Sequence, residues 1–136
     1  MKAFQPYLNF EGNTREAMTF YQKCTDGELT IQTFGEVKAP FPGSENLVMH
    51  ARLTKGTAVI MASDPIPGMP VIQGNNVWVN IDCDTVPEIE QLFKALGEGG
   101  KVIMPLADQF WGARFGMLTD KYGLNWMFNC ELKKDV

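Results

Sequence analysis

Apolar and polar positions along the chain follow two alternating periods. Gln5 to Glu11 alternates as a half-buried strand does. Ala17, Phe20, Tyr21 and Cys24 then fall at i, i+3, i+4 and i+7, the stripe of one helix face. Asn13 is placed to cap that helix, with Glu16 as its capping-box partner, and Asp26-Gly27 ends it. A strand is predicted near Leu29 to Phe34. Ala39-Pro40-Phe41-Pro42-Gly43-Ser44 allows neither helix nor central strand. Leu47 to Thr54 and Thr57 to Ser63 read as two further strands, joined by a tight turn at Lys55-Gly56.

The same series then repeats. Val77 to Cys83 is a strand, and Thr85 with Glu88 forms a capping box, with Pro87 in the first turn. Ile89, Leu92, Phe93 and Leu96 carry the helical stripe, which ends at Gly97 to Gly100. Strands follow at Val102 to Pro105, Ala113 to Thr119 and Leu124 to Cys130, with a turn at Asp120-Lys121-Tyr122-Gly123. Leu8-Asn9-Phe10-Glu11-Gly12-Asn13-Thr14 matches Val79-Asn80-Ile81-Asp82-Cys83-Asp84-Thr85, and later segments match in the same order. The chain therefore reads as one α+β domain of two βαβββ modules in tandem. Module one covers about 1–63, a Pro-rich linker or lid 64–73, and module two about 74–136. One helix covers one face of each sheet. The bare faces are expected to curve around a cleft fit for a small ligand.

Composition narrows the partners. Twelve basic against sixteen acidic residues leave a net charge of −4, which argues against nucleic acid. The one basic cluster is Lys133-Lys134, diluted by Asp135. No apolar run approaches the roughly 20 residues of a membrane span, and the start of the chain lacks a signal-peptide pattern. The three cysteines, Cys24, Cys83 and Cys130, form no C-x-x-C pair and suit free buried thiols in a reducing compartment. The expected location is cytoplasmic.

Tyr7, Leu8, Phe10, Gly12, Asn13, Glu16, Ala17, Phe20 and Tyr21 form the pattern Y-L-x-F-x-G-N-x-x-E-A-x-x-F-Y. Phe110 to Gly116, Asp120, Tyr122, Gly123 and Trp126 form F-W-G-x-R-F-G-x-x-x-D-x-Y-G-x-x-W. Together they resemble the PhnB-like branch of the vicinal oxygen chelate superfamily, which includes glyoxalase I, extradiol dioxygenases and bleomycin-binding resistance proteins. The resemblance implies glyoxalase/bleomycin-resistance-like paired modules and a homodimer. Some members of this branch carry a demethylubiquinone methyltransferase label. The sequence has no glycine-rich nucleotide loop to support it here, and one fold hosts many activities.

The resemblance also implies where a divalent ion would be held: by a His or carboxylate on the first and last strand of each module. The matching positions here are Gln5 or Tyr7, Met61, Asn76 or Trp78, and Met127, none of them His or carboxylate. No metal and no cofactor is expected on this ground. Strand parity places Tyr7, Asn9, Met61, Trp78, Asn80 and Met127 toward the cleft, a lining suited to a planar or apolar ligand with a few hydrogen-bonding groups. His50, the one histidine, is a candidate proton acceptor or lone ligand at the cleft edge. Trp111 and Arg114 offer a stacking face and a fork for an anion; alternatively Arg114 pairs with Asp108 or Asp120. The leading expectation is a small-molecule-binding protein. The alternatives are a metal-dependent lyase or transferase with a rearranged site at His50 and Glu131, and a cofactorless enzyme using Tyr7, His50 or Arg114.

Overall fold

The computed structural model describes residues 1–132. Lys133, Lys134 and Asp135, where the sequence has its basic cluster, lie outside the described residues. The chain divides into two compact units, Met1–Ile72 and Gln73–Val136.

Unit one runs β1 (Tyr7–Asn9), α1 (Thr14–Thr25), β2 (Glu28–Thr33), β3 (Val48–Lys55) and β4 (Ala58–Ser63). Its sheet order is β1-β4-β3-β2, with β1 parallel to β4 and the other pairs antiparallel. Unit two runs β5 (Val79–Cys83), α2 (Val86–Leu96), β6 (Lys101–Asp108), β7 (Ala113–Thr119) and β8 (Asn125–Glu131). Its sheet order is β5-β8-β7-β6, again with one parallel pair, β5 with β8. The structure is thus α+β, with two tandem four-stranded mixed sheets and one helix each.

One face of each sheet is covered by its helix. In unit one Leu8, Ala62 and Ala51 share a row, and the two alanines are fully buried. Tyr21, Met18 and Ala17 of α1 are fully buried as well. In unit two Trp126, Phe128 and Cys130 of β8 are buried with Ile89 and Leu96 of α2. Phe93 and Leu92, expected on the same buried stripe, are only half-buried. Phe93 packs edge-on against Phe128 at 5.1 Å. Gly116 makes that possible, since a Cβ there would lie 2.8 Å from the Phe93 ring.

Several boundaries differ from the sequence reading for local reasons. β1 has three residues, and Pro6 before it has no N–H to give, though its carbonyl accepts from the Met61 amide. β5 begins at Val79, because the Trp78 indole N–H donates to the Asn75 carbonyl and curls the preceding segment. The first hairpin turns at Gly56-Thr57, one residue later than expected, with Lys55 and Ala58 paired. β6 continues past Pro105 to Asp108. It is an edge strand, and its register breaks between Met104 and Ala107, where a proline is tolerated.

The caps differ too. Thr85 caps α2 as expected, its Oγ accepting from the Glu88 amide, while Glu88 accepts from the Asp84 amide. Asn13 sits at the start of α1 but makes no side-chain cap. The cap comes from Asp64, which the sequence places in the linker. Its Oδ1 accepts from the amides of Gly12 and Thr14 and from the Thr14 hydroxyl, and its Oδ2 from the Val48 amide. A buried carboxylate so bonded satisfies orphan amides at the positive end of the helix.

Candidate functional site

The faces away from the helices carry the candidate residues. In unit one Tyr7, Met61, Arg52 and Thr30 lie side by side across the four strands. In neighbouring rows Asn9 pairs with Ser63, and Gln32 with His50. The Tyr7 hydroxyl lies 3.0 Å from His50 Nδ1, and their rings are tilted 35° with centroids 5.7 Å apart. The Ser63 hydroxyl donates to Asn9 Oδ1 at 3.3 Å. Arg52 Nη1 lies 3.9 Å from Met61 Sδ.

In unit two the corresponding face carries Asn80, Met127, Met117 and Met104 in one row, so three thioethers occupy adjacent strands. The next row holds Asp82, Asn129, Phe115 and Ala107, and Asn129 donates to Asp82 at 3.2 Å. The Asn9–Ser63 and Asp82–Asn129 bridges are equivalent, each linking the first strand of a unit to its last. Tyr7, opposite Met61, therefore matches Asn80, opposite Met127. This places the repeat two residues out of step with the sequence alignment at the first strands. Trp78 lies just outside β5 and is half-buried, its indole N–H engaged locally.

Trp111 and Arg114 part company. Trp111 is half-exposed in the loop before β7, edge-on to Phe110 at 5.1 Å and to Phe115 at 5.7 Å. Arg114 belongs to the helix-side row with Cys83 and Cys130. It binds Asp108 at 2.8 Å and Glu90 of α2 at 2.7 Å. Its hydrogen bond to Asp108 holds that carboxyl below the usual carboxylate range and raises the guanidinium in turn. The expected anion fork is thus already filled with two acids, and Arg114 fastens α2 to β6 and β7. Arg52 is the residue the sequence reading missed. Counting parity back from the buried Leu53 would have put it beside Tyr7 and His50.

Within unit one Met61 lies opposite Tyr7, and within unit two Met127 lies opposite Asn80; neither pair offers the carboxylate or imidazole donors that suit a hard or borderline divalent ion. Among the described residues no three His, Cys, Asp or Glu side chains gather as ligands. Glu131, at the end of β8, is exposed and pairs with Ala113.

This arrangement of sheets and helices is that of the glyoxalase/bleomycin-resistance class, the vicinal oxygen chelate superfamily. A glyoxalase/bleomycin resistance protein/dioxygenase family enzyme from Burkholderia phytofirmans PsJN shares the fold, with a TM-score of 0.65 at 17% identity over 93% of this chain and 97% of that one. A family model described as 3-demethylubiquinone-9 3-methyltransferase matches residues 2–128, and the chain belongs to that family, in the PhnB-like branch of the superfamily. Protein PA1353 from Pseudomonas aeruginosa is 41% identical with a TM-score of 0.88, over 98% of this chain and all (100%) of that one. The PhnB protein from Bacillus cereus is 30% identical with a TM-score of 0.78, over 95% and 99%.

Proposed function

We propose that this protein binds a small molecule on the open sheet faces and works without a divalent ion at the position used by metal-dependent members of its superfamily. The observation that carries the reading is the pair Met61 and Met127, thioethers where that chemistry requires hard donors. Thioethers and aromatic rings give an adaptable apolar lining, and Asn9, Asn80 and the Tyr7–His50 pair add hydrogen-bonding points. Methyl transfer is not part of the proposal. The one glycine between β1 and α1, Gly12, gives its amide to Asp64, as Thr14 does, so this helix start is already filled by an internal carboxylate.

The ligand-binding form is proposed to be a homodimer in the cytoplasm. Exposed Val102, Ile103 and Met104 on edge strand β6 support self-association. Three free buried cysteines suit a reducing compartment. The Tyr7–His50 contact favours a second reading, a cofactorless acid–base catalyst, in which Arg114 has no part. A rearranged metal site at His50 and Glu131 draws no such support, since Glu131 is exposed at the end of β8 and among the described residues no three His, Cys, Asp or Glu side chains gather as ligands.

Elemental analysis of protein purified without a metal-affinity tag, paired with titration of neutral 2-naphthol followed by tryptophan fluorescence, tests the reading. Far less than one divalent ion per chain and a saturable fluorescence change are expected. One tightly held divalent ion per chain, or no response to the probe, would overturn it.

A further inference from the structure

Arg52 lies in the middle of the open face of the first sheet, on the central strand pair, between Met61 and Thr30. Its one polar contact among the described residues is the Met61 thioether at 3.9 Å. A thioether is a weak acceptor and leaves the guanidinium fork largely unanswered. Glu28 shares the face one row away, opposite Thr54, yet makes no ion pair with it. The contrast with Arg114, held by two acids, is sharp. In a chain of net charge −4, an exposed guanidinium that Glu28, the carboxylate on its own face, does not reach is an open place for an anion.

The neighbours supply the rest of such a place. His50 is two residues along the same strand and on the same face, roughly 6.7 Å from Arg52 by strand rise. Its Nδ1 is tied to the Tyr7 hydroxyl. Two proton arrangements are open to that pair. If the Tyr7 O–H donates to Nδ1, the imidazole carries its proton on Nε2. If Nδ1–H donates to the Tyr7 oxygen, the hydroxyl proton is free. In either case the pair has one donor left over. A fork with two donors, and a further donor about one strand repeat away, match an acid group with two or three oxygens.

We propose that Arg52, with the Tyr7–His50 pair, forms an anion subsite that takes the carboxylate or phosphoryl group of the ligand. The inference rests on the ligand-binding reading above and specifies the ligand as an acid.

The single histidine makes the test direct, because its imidazole proton resonances need no assignment against others. Benzoate and phenylphosphonate are titrated separately while those resonances are followed. A saturable shift is expected with at least one of them, and the acid that saturates at lower concentration identifies carboxylate or phosphoryl as the natural group. Arg52→Gln should weaken that binding by about tenfold or more, the range of a charge-assisted hydrogen bond. Arg114→Gln should leave it as in the wild type. No saturable shift with either acid, or wild-type affinity in Arg52→Gln, would overturn the subsite. Binding of 2-naphthol is read separately, so loss of the anion response with the naphthol response intact removes the subsite alone.

Discussion

Thr14 and Asp64, fifty residues apart, are joined by a 2.7 Å hydrogen bond from the Thr14 hydroxyl to Asp64 Oδ1. The same carboxylate takes three amides from the start of α1 and the start of β3. Asp64→Ala would strand several buried donors at once. A loss of about 3 kcal/mol is expected from urea unfolding, against about 1 kcal/mol for Thr14→Val, which removes one partner only. Equal losses would show that the carboxylate acts on Thr14 alone.

Gly123 offers a backbone test of the second unit. Its φ is 88°, and a Cβ would strike the Gln73 carboxamide, which donates to the Tyr122 carbonyl. Gly43 has the same φ with nothing within 4 Å. Both variants force alanine to a φ of 88°, which should cost about 1 kcal/mol each, and the exposed Gln73 side chain can swing aside, so Gly123→Ala should exceed Gly43→Ala only by the loss of the Gln73–Tyr122 hydrogen bond. Thermal melts of the two variants give the ranking.

Burial pushes the Cys83 thiol up to about 12, helped by the nearby acids Glu88, Asp82 and Asp84. A thiol whose folded value lies above its unfolded one favours the folded state only while both are protonated. Stability is therefore expected to fall as pH rises from about 9 toward 12, and Cys83→Ala should flatten part of that fall. Iodoacetamide at pH 8 should leave Cys83 unmodified in native protein and alkylate it in urea. Mass spectrometry of the two reactions reads this directly.

The Arg114 ion pairs carry the opposite sign. Asp108 is held below its ordinary range, so the stabilisation exists above the unfolded carboxylate range and disappears as pH falls through the folded value. Both acids are more than half exposed, so the effect is small. The gap in melting temperature between wild type and Arg114→Gln should close on acidification. A gap that stays constant with pH would point to lost packing of the side-chain stem instead.

Trp78→Ala is expected to cost less than Ile89→Ala. Trp78 is half-buried outside the ladder, whereas Ile89 is fully buried under the second sheet and should lose about 2–5 kcal/mol. Chemical denaturation of both variants decides whether Trp78 belongs to the core.

What could be read ahead of the structure followed from period and repetition. The positions of α1 and α2, the Thr85 cap and the β7 limits depend on residues close in sequence, and local spacing carries them; how deeply each stripe residue is buried depends on the sheet beneath, so Phe20, Leu92 and Phe93 stay half-buried. Asp64 could not be read that way, because the amides it serves are 50 and 16 residues away in the chain. The two-residue slip between the first strands was hidden for another reason. Asn9 and Asn80 look alike, but register is set by the partner strand, where Asn9 meets Ser63 and Asp82 meets Asn129. For Arg114 the local sequence left an anion fork and an ion pair with Asp108 both open; the structure has the Asp108 pair, and strand parity adds Glu90 of α2, a partner 24 residues away that local spacing does not reveal.

The distance between Thr14 and Asp64 also sets an order of events for the growing chain. β2, β3 and β4 are joined in sequence and can pair as they emerge, whereas β1 must wait for β4, and the amides of Gly12 and Thr14 have no Asp64 carboxylate to bond until residue 64 has left the ribosome. The first unit therefore closes from its middle outward, and its N-terminal strand and helix are the last parts to be fastened.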